Sequence, residues 1–235
     1  MTITSQGKDG VVIDVRLFGS AARGDSDERS DIDVLVVTEA GKPDIEVLKA
    51  SLFDRIKANV DVSVYSINRL RMMFSEGHMF SWHLYQESRR LEYRDTVDLL
   101  ALLGKPNPYR SAHKDVSELL DLLETIKDEV KNTSSLTFEA GLLYVCARNI
   151  ALSASWYTED GIKFGRNSPF ELTLGKLAFP LSRADYDILV ACRHASTRGE
   201  PTEAPPRDWL AERAEICHQW ACQVHELIPE WEHVN

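Results

Sequence analysis

The chain has 235 residues, 43% of them hydrophobic and 27% charged, enough to bury a core without disulfide or metal staples. Its net charge of −10 argues against tight, non-specific adhesion to nucleic acid, which needs a basic surface. No apolar run reaches the ~20 residues of a bilayer-spanning helix, the opening "MTITSQGKDG" has no signal-peptide pattern, and Cys146, Cys192, Cys217 and Cys222 show no disulfide spacing, so a reducing cytoplasm is the expectation.

In chain order, "VVIDVRLF" (residues 11–18) reads as a strand and "SAARG" as the start of a helix directly after it. "DIDVLVVT" (31–38) is a second strand. "KPDIEVLKASLFDRIKAN" follows, with Pro43 near a helix start and Ile45, Leu48, Leu52 and Ile56 at helical spacing. "VDVSVYS" (60–66) alternates with period two and predicts a third strand. "INRLRMMFS" and "HMFSWHLYQES" are helical in pattern, and "RRLEYRD" (89–95) suits a short edge strand. Strands alternating with helices imply a layered arrangement of sheet and helices.

"GKPNPYR" (104–110), with two prolines and a glycine, is the natural linker. It divides the chain into an expected catalytic domain, 1–104, and an all-helical bundle, 111–235. Beyond it the period becomes 3.6. "KDVSELLDLLETIKDEVK" carries Val116, Leu119, Leu120, Leu123, Ile126 and Val130 on one face. "TFEAGLLYVCARNIALSASWYTEDG" is a more apolar, central helix. "ELTLGKLAF", "RADYDILVACRHAS" and "PRDWLAERAEICHQWACQVHELI" supply about three more, the last two separated by the Pro-rich loop "TRGEPTEAPPR". Charge follows the division. Residues 1–110 hold 15 Lys and Arg against 17 Asp and Glu, while the remainder hold 12 against 20, a net −8. An acidic bundle suits a cationic substrate or partner, although such a charge also serves solubility alone.

The chemistry concentrates in "LFGSAARGDSDERSDIDVLVV" (17–37). Strand side chains alternate, so Asp31 and Asp33 project together, with Ile32 and Val34 on the other face. Paired carboxylates repel unless a cation or donor compensates them, and Mg2+ accepts carboxylate oxygens together with substrate phosphates. Asp61, set between Val60 and Val62, is a third acid in an apolar run. Gly19 and Ser20 stand between a strand and a helix, where backbone N–H groups form an anion cradle and the hydroxyl adds a donor. A phosphate cradle beside carboxylates implies a nucleoside triphosphate and phosphoryl chemistry.

These residues resemble the DNA polymerase β-like nucleotidyltransferases: Gly-Ser, ten residues, Asp-x-Asp, then a third Asp on a later strand. The stretch is especially similar to the minimal nucleotidyltransferase branch, including the Arg23-Gly24 and Ser30-Asp31 pairs, and the two-domain layout is similar to aminoglycoside nucleotidyltransferases. The resemblance covers roughly residues 11–95. It implies an α+β fold, a mixed sheet with helices followed by an all-α bundle. It further implies Asp31 and Asp33 on two Mg2+ ions with Asp61 on the catalytic one, and Gly19 and Ser20, helped by Arg23 and Ser30, on the triphosphate. The implied reaction moves a nucleoside monophosphate, by default AMP from ATP, to a hydroxyl with release of pyrophosphate, as in antibiotic resistance. Homodimers occur in this branch. Fewer residues precede the first strand than in many members.

The acceptor hydroxyl must lose a proton, a step worth about 10²–10⁴-fold when a side chain takes it. Asp61 is one candidate base and Glu87, in "YQESRRLEY", another; a helix-end surface acid is the plain alternative for Glu87. The bundle is weakly similar to HEPN-type helical domains through Arg148 and Asn149 of "ARNIALSASWY". The ribonuclease versions place a His where this chain has Ser153, Ala154 and Ser155, so RNase activity is not expected. A structural guanidinium with a carboxylate partner is the expectation for Arg148. His218, Cys222 and His225 share a helix face but lack a fourth zinc ligand, so core packing is the better reading. A cationic small-molecule acceptor leads. The alternatives are a protein or tRNA acceptor in a toxin–antitoxin or defence setting, and a non-catalytic nucleotide-binding module.

Overall fold

The structure, a computed structural model, describes residues 11–24, 32–39, 43–56, 60–91 and 97–230. It divides into two compact units, Met1–Tyr109 and Arg110–Asn235.

The first unit is built on a four-stranded sheet in the order β3-β2-β1-β4. Strand β1 (Val12–Phe18) runs antiparallel to β2 (Ile32–Thr38), and β2 runs parallel to β3 (Val60–Ser66). The short edge strand β4 (Arg89–Arg90) lies antiparallel to β1. Among the described residues, the short helix α1 (Gly19–Arg23) stands between β1 and β2 and ends at Gly24, which takes a left-handed conformation. The parallel β2–β3 pair needs a longer crossover, and α2 (Ile45–Ile56) supplies it. Helices α3 (Ile67–Glu76), α4 (Met79–Glu87) and α5 (Leu99–Leu103) complete the unit.

Helices cover both faces of the sheet, which explains why β2 is a continuous apolar run rather than an alternating one. Leu35 and Val37 pack with Ile67, Leu70 and Met73 of α3, Leu84 of α4 and Leu99 of α5. Val34 and Val36 turn the other way, onto Val15 of β1 and Leu48 and Leu52 of α2. Burying a side chain of this size contributes roughly 1.5–3 kcal/mol.

The α3–α5 face also buries a charge network that the sequence did not announce. Asp14, fully buried, accepts from the backbone N–H of Val15 and of Leu99, each at 2.9 Å. Its other partners are Arg16 Nη1 at 3.2 Å and Arg90 Nε at 3.4 Å. Arg16 in turn donates to Asp98 Oδ1 (2.9 Å) and Ser88 Oγ (2.8 Å). The network joins β1 to β4 and to the ends of α4 and α5. Burial pushes the Asp98 carboxyl up, but the Leu100 N–H and the Arg16 charge outweigh it and hold the group below its ordinary range.

The boundary between the units falls at Tyr109 and Arg110, inside the expected linker 104–110. This stretch is tied down through Asn107, whose N–H donates to Phe74 O (2.9 Å) and whose Nδ2 donates to Ser75 O (2.6 Å), while Trp82 Nε1 donates to Asn107 O (2.9 Å). Its backbone groups replace water with the end of α3 and with α4. In "RRLEYRD" Arg89–Arg90 form the expected edge strand, and residues 92–96 lie outside the described residues.

The second unit is helical: α6 (Ala112–Glu129), α7 (Leu136–Ala154), a 3-10 turn (Ser155–Tyr157), α8 (Ser168–Glu171), α9 (Arg183–Arg198) and α10 (Arg207–Leu227). Helix α7 is central and packs on α6, α8, α9 and α10. Its Leu143, Cys146, Ala147 and Ile150 meet Val116, Leu123 and Ile126 of α6, Leu189 of α9, and Cys217 and Trp220 of α10 in one core. "ELTLGKLAF" is not a helix as expected. It makes a tight turn in which Leu174 pairs with Leu177, because Gly175 takes φ +61°, a left-handed conformation that breaks a helix. At the start of α10, Arg207 donates to the carbonyls of Val130 and Thr133, closing the α6–α7 connection. Among the described residues no helix is long and apolar enough to cross a membrane.

Candidate active site

The parallel pairing of β2 and β3 sets Asp33 directly opposite Asp61. The two cores show which way these residues face. Leu35 and Val37, in step with Asp33, and Tyr65, in step with Asp61, all pack with the α3–α5 side, whereas Val34, Val60, Val62 and Val64 belong to the α2 side. The two carboxylates therefore project from the same face at the entrance of adjoining strands, about 5 Å apart in backbone spacing. Asp33 is half-buried and Asp61 exposed.

On the other side of Asp33 stands the end of β1, where Phe18 is its register partner. The next residue, Gly19, takes φ +69°. A Cβ there would lie 2.2 Å from Asp33 Oδ2, well inside contact distance. Only glycine lets the backbone come this near a carboxylate. Helix α1 begins at this point, with no side-chain cap from Phe18, and the half-buried Ser20 forms its first turn. Gly19, Asp33 and Asp61 thus occupy three neighbouring strand ends, β1, β2 and β3.

Asp31 and Ser30 lie outside the described residues. Among the described residues no three His, Cys, Asp or Glu are grouped to hold a metal ion. The donor set present still fits a divalent cation. Hard carboxylate oxygens from Asp33 and Asp61 share one face beside a backbone cradle kept open by the missing Cβ of Gly19.

Glu87, at the end of α4, is not a free surface acid. Its Oε2 accepts from Arg23 Nη1 of α1 at 2.8 Å and lies 3.0 Å from His83 Nε2. Burial pushes this carboxyl up, and the hydrogen bonds and charges of His83 and Arg23 more than offset it, leaving Glu87 below the usual carboxylate range. Beneath the pair, Phe18 meets Phe80 and His83 edge-on, each at 5.7 Å between ring centres, and Phe80 stacks on Tyr65 at 5.4 Å. The sequence reading missed His83, although its i, i+4 spacing to Glu87 was visible. It also read Arg23 only as a phosphate ligand; here Arg23 ties α1 to α4.

In the second unit, Arg148 meets no carboxylate of the kind expected among the described residues. Its Nη2 donates to Phe164 O at 2.7 Å and its Nη1 to Asn149 Oδ1 at 3.1 Å, so it braces the loop after the 3-10 turn. Ser153, Ala154 and Ser155 are buried. His218, Cys222 and His225 do not converge on one point: His225 lies against His113 with ring centres 3.9 Å apart and tilted by 41°, while His218 faces Cys222 and Glu124.

Residues 4–95 match the family model described as "Nucleotidyltransferase domain". The first unit carries a nucleotidyltransferase domain. The chain is accordingly an enzyme that transfers nucleotidyl groups. No curated protein matches the chain. Among solved structures, it is similar to the spectinomycin adenyltransferase AAD(9) from Enterococcus faecialis, solved with ATP and spectinomycin. The identity is 14%, the TM-score 0.47, and the match covers 90% of this chain and 92% of that one. A likeness this remote has no bearing on the substrate.

Proposed function

We propose that this nucleotidyltransferase moves AMP from ATP onto a hydroxyl of a small molecule, releases pyrophosphate, and depends on Mg2+. The observation that carries this reading is the placement of Asp33 opposite Asp61 with Gly19 pressed against Asp33. Asp33 and Asp61, with Asp31, would hold the metal, whose contribution is Lewis-acid stabilisation of charge on phosphoryl oxygens. Gly19 and Ser20 would present backbone N–H groups and a hydroxyl to the triphosphate, with Arg23 and Ser30 as further ligands. In the reaction the acceptor oxygen bonds to the α-phosphorus, the bond from that phosphorus to the bridging oxygen breaks, and the acceptor proton leaves.

Asp61 is the first candidate to take that proton. It is exposed, and no ion pair engages it among the described residues. Glu87 is the second. Its position between Arg23 and His83 also supports a positioning role, in which Glu87 holds α1, and with it the cradle, in place. Residues 1–104 are assigned to catalysis and 111–235 to the acceptor. The −8 balance of the second half favours a polycationic acceptor such as an aminoglycoside.

The test is incubation with ATP labelled at the α-phosphate and Mg2+, against panels of aminoglycosides, tRNA and cell lysate. Label on an aminoglycoside supports the proposal. Label on RNA or polypeptide moves the acceptor to the other classes. ATP binding without transfer to any panel would leave a nucleotide-binding module and overturn it.

A further inference from the structure

Away from the nucleotide site, the second unit holds a group of side chains arranged as a nucleophile with its base. Cys222 and His218 lie one turn apart on α10 and share a helix face. Cys222 Sγ is 3.9 Å from His218 Nδ1. The opposite ring nitrogen, Nε2, is 3.2 Å from Oε2 of Glu124 on α6. That oxygen is also 2.8 Å from Lys127 Nζ, and Lys127 reaches Glu215 Oε2 at 3.1 Å. Gln219 Nε2 donates to the remaining Glu215 oxygen at 2.9 Å. A carboxylate on Nε2 keeps the ring proton there, so the lone pair on Nδ1 faces the thiol. Thiol, imidazole and carboxylate in sequence give a cysteine a built-in base.

Accessibility singles out the same residue. Cys146, Cys192 and Cys217 are fully buried. Burial pushes the Cys146 thiol up to about 12 and raises Cys192 and Cys217 as well, so none of the three offers a thiolate at neutral pH. Cys222 is half-buried, and the His218 side chain is 22% exposed.

We propose that Cys222 is a thiol-exchange site whose ligand is a low-molecular-weight disulfide. The Cys222 proton passes to His218 Nδ1, and the thiolate attacks one sulfur of the disulfide. A new S–S bond joins Cys222 to that half while the original S–S bond breaks. The other half leaves as a thiolate and takes the proton from His218. Cys222 is oxidised and the departing half reduced, so the exchange balances without a further oxidant. The charged groups facing the pair are Glu124 and Lys127 from α6 and Glu215 from α10 itself.

The experiment treats the native full-length chain with dithiobis(nitrobenzoate) near pH 7, follows release of the coloured thiolate, and maps the adduct by mass spectrometry. One fast equivalent on Cys222 is expected, absent in Cys222→Ser. His218→Gln should slow it at least tenfold and Glu124→Gln severalfold. In His218→Gln the rate should also rise about tenfold per pH unit up to roughly pH 8.5, as for an unassisted thiol, while the native rate changes far less. Circular dichroism melts check that each variant is folded, with His218→Asn, Cys222→Ala and Glu124→Ala as the respective replacements. Equal rates in native chain and His218→Gln overturn the proposal. So does an adduct on another cysteine, or one that forms only after unfolding.

Discussion

A Cβ on Gly19 would stand 2.2 Å from Oδ2 of Asp33, so the end of β1 and the start of β2 meet here as backbone against carboxylate. The contact fixes the spacing between the proposed phosphate cradle and the proposed metal ligand. Gly19→Ala must displace Asp33 and also hold an alanine at φ +69°, a strain of about 1–2 kcal/mol. A shift of roughly 1 Å in a reacting group costs about a hundredfold. Transfer should fall by that order, while the melting temperature drops by only a few degrees. Steady-state kinetics and a thermal melt check both parts, and wild-type kinetics would remove Gly19 from the site.

Asp33 and Asp61 should both be needed for the metal. Asp33→Asn and Asp61→Asn each remove one charge from the facing pair. Charge stabilisation worth several kcal/mol is then lost, so transfer should fall at least about a hundredfold. Mn2+ binding, read by electron paramagnetic resonance, should weaken in parallel. The double variant Asp31→Asn/Asp33→Asn extends the test to the acid outside the described residues. If that protein still transfers nucleotide, the metal assignment fails.

Glu87 carries a prediction in pH. Its folded carboxyl lies below its ordinary value of 4.5, although burial pushes the other way, because Arg23 and His83 favour the charged form. The unfolded chain therefore takes up the proton first on acidification. The stability Glu87 contributes is complete above about pH 4.5 and is lost as pH falls through the lower folded value. Urea midpoints should separate wild type from Glu87→Gln at pH 7 and draw together as the pH falls below 4.5. A gap that persists in acid contradicts the assignment. The same variant should slow transfer and leave ATP binding nearly unchanged, and an unaltered single-turnover rate would exclude Glu87 from both base and positioning roles.

The buried network under the sheet should be intolerant of losing one partner. Asp14→Ala leaves Arg16 and the Leu99 N–H without their buried acceptor. Removing one partner of such a pair costs about 3–5 kcal/mol. Chemical denaturation should show a loss of that size. A loss under 1 kcal/mol would mean that water replaces the carboxylate.

Much of the candidate site could be read along the chain because its signals are local. Strand alternation predicts one face for Asp31 and Asp33, and a glycine between strand and helix marks the proposed cradle. The 3.6-residue period likewise marked α6 and α7, and the i, i+4 spacing joined His218 to Cys222 on α10. Proximity between elements was another matter. No local pattern states that Asp61 faces Asp33, because a parallel register is set by a crossover helix and two cores packed together. Nor does any local signal place Arg23 on Glu87, Asp14 on the N–H of Leu99, or Glu124 on His218. Those partners lie on separate elements, and burial selects them by requiring each desolvated charge to find a counterpart. The sequence by itself determined which residues can do chemistry. Packing of the sheet and helices decided which of them stand together.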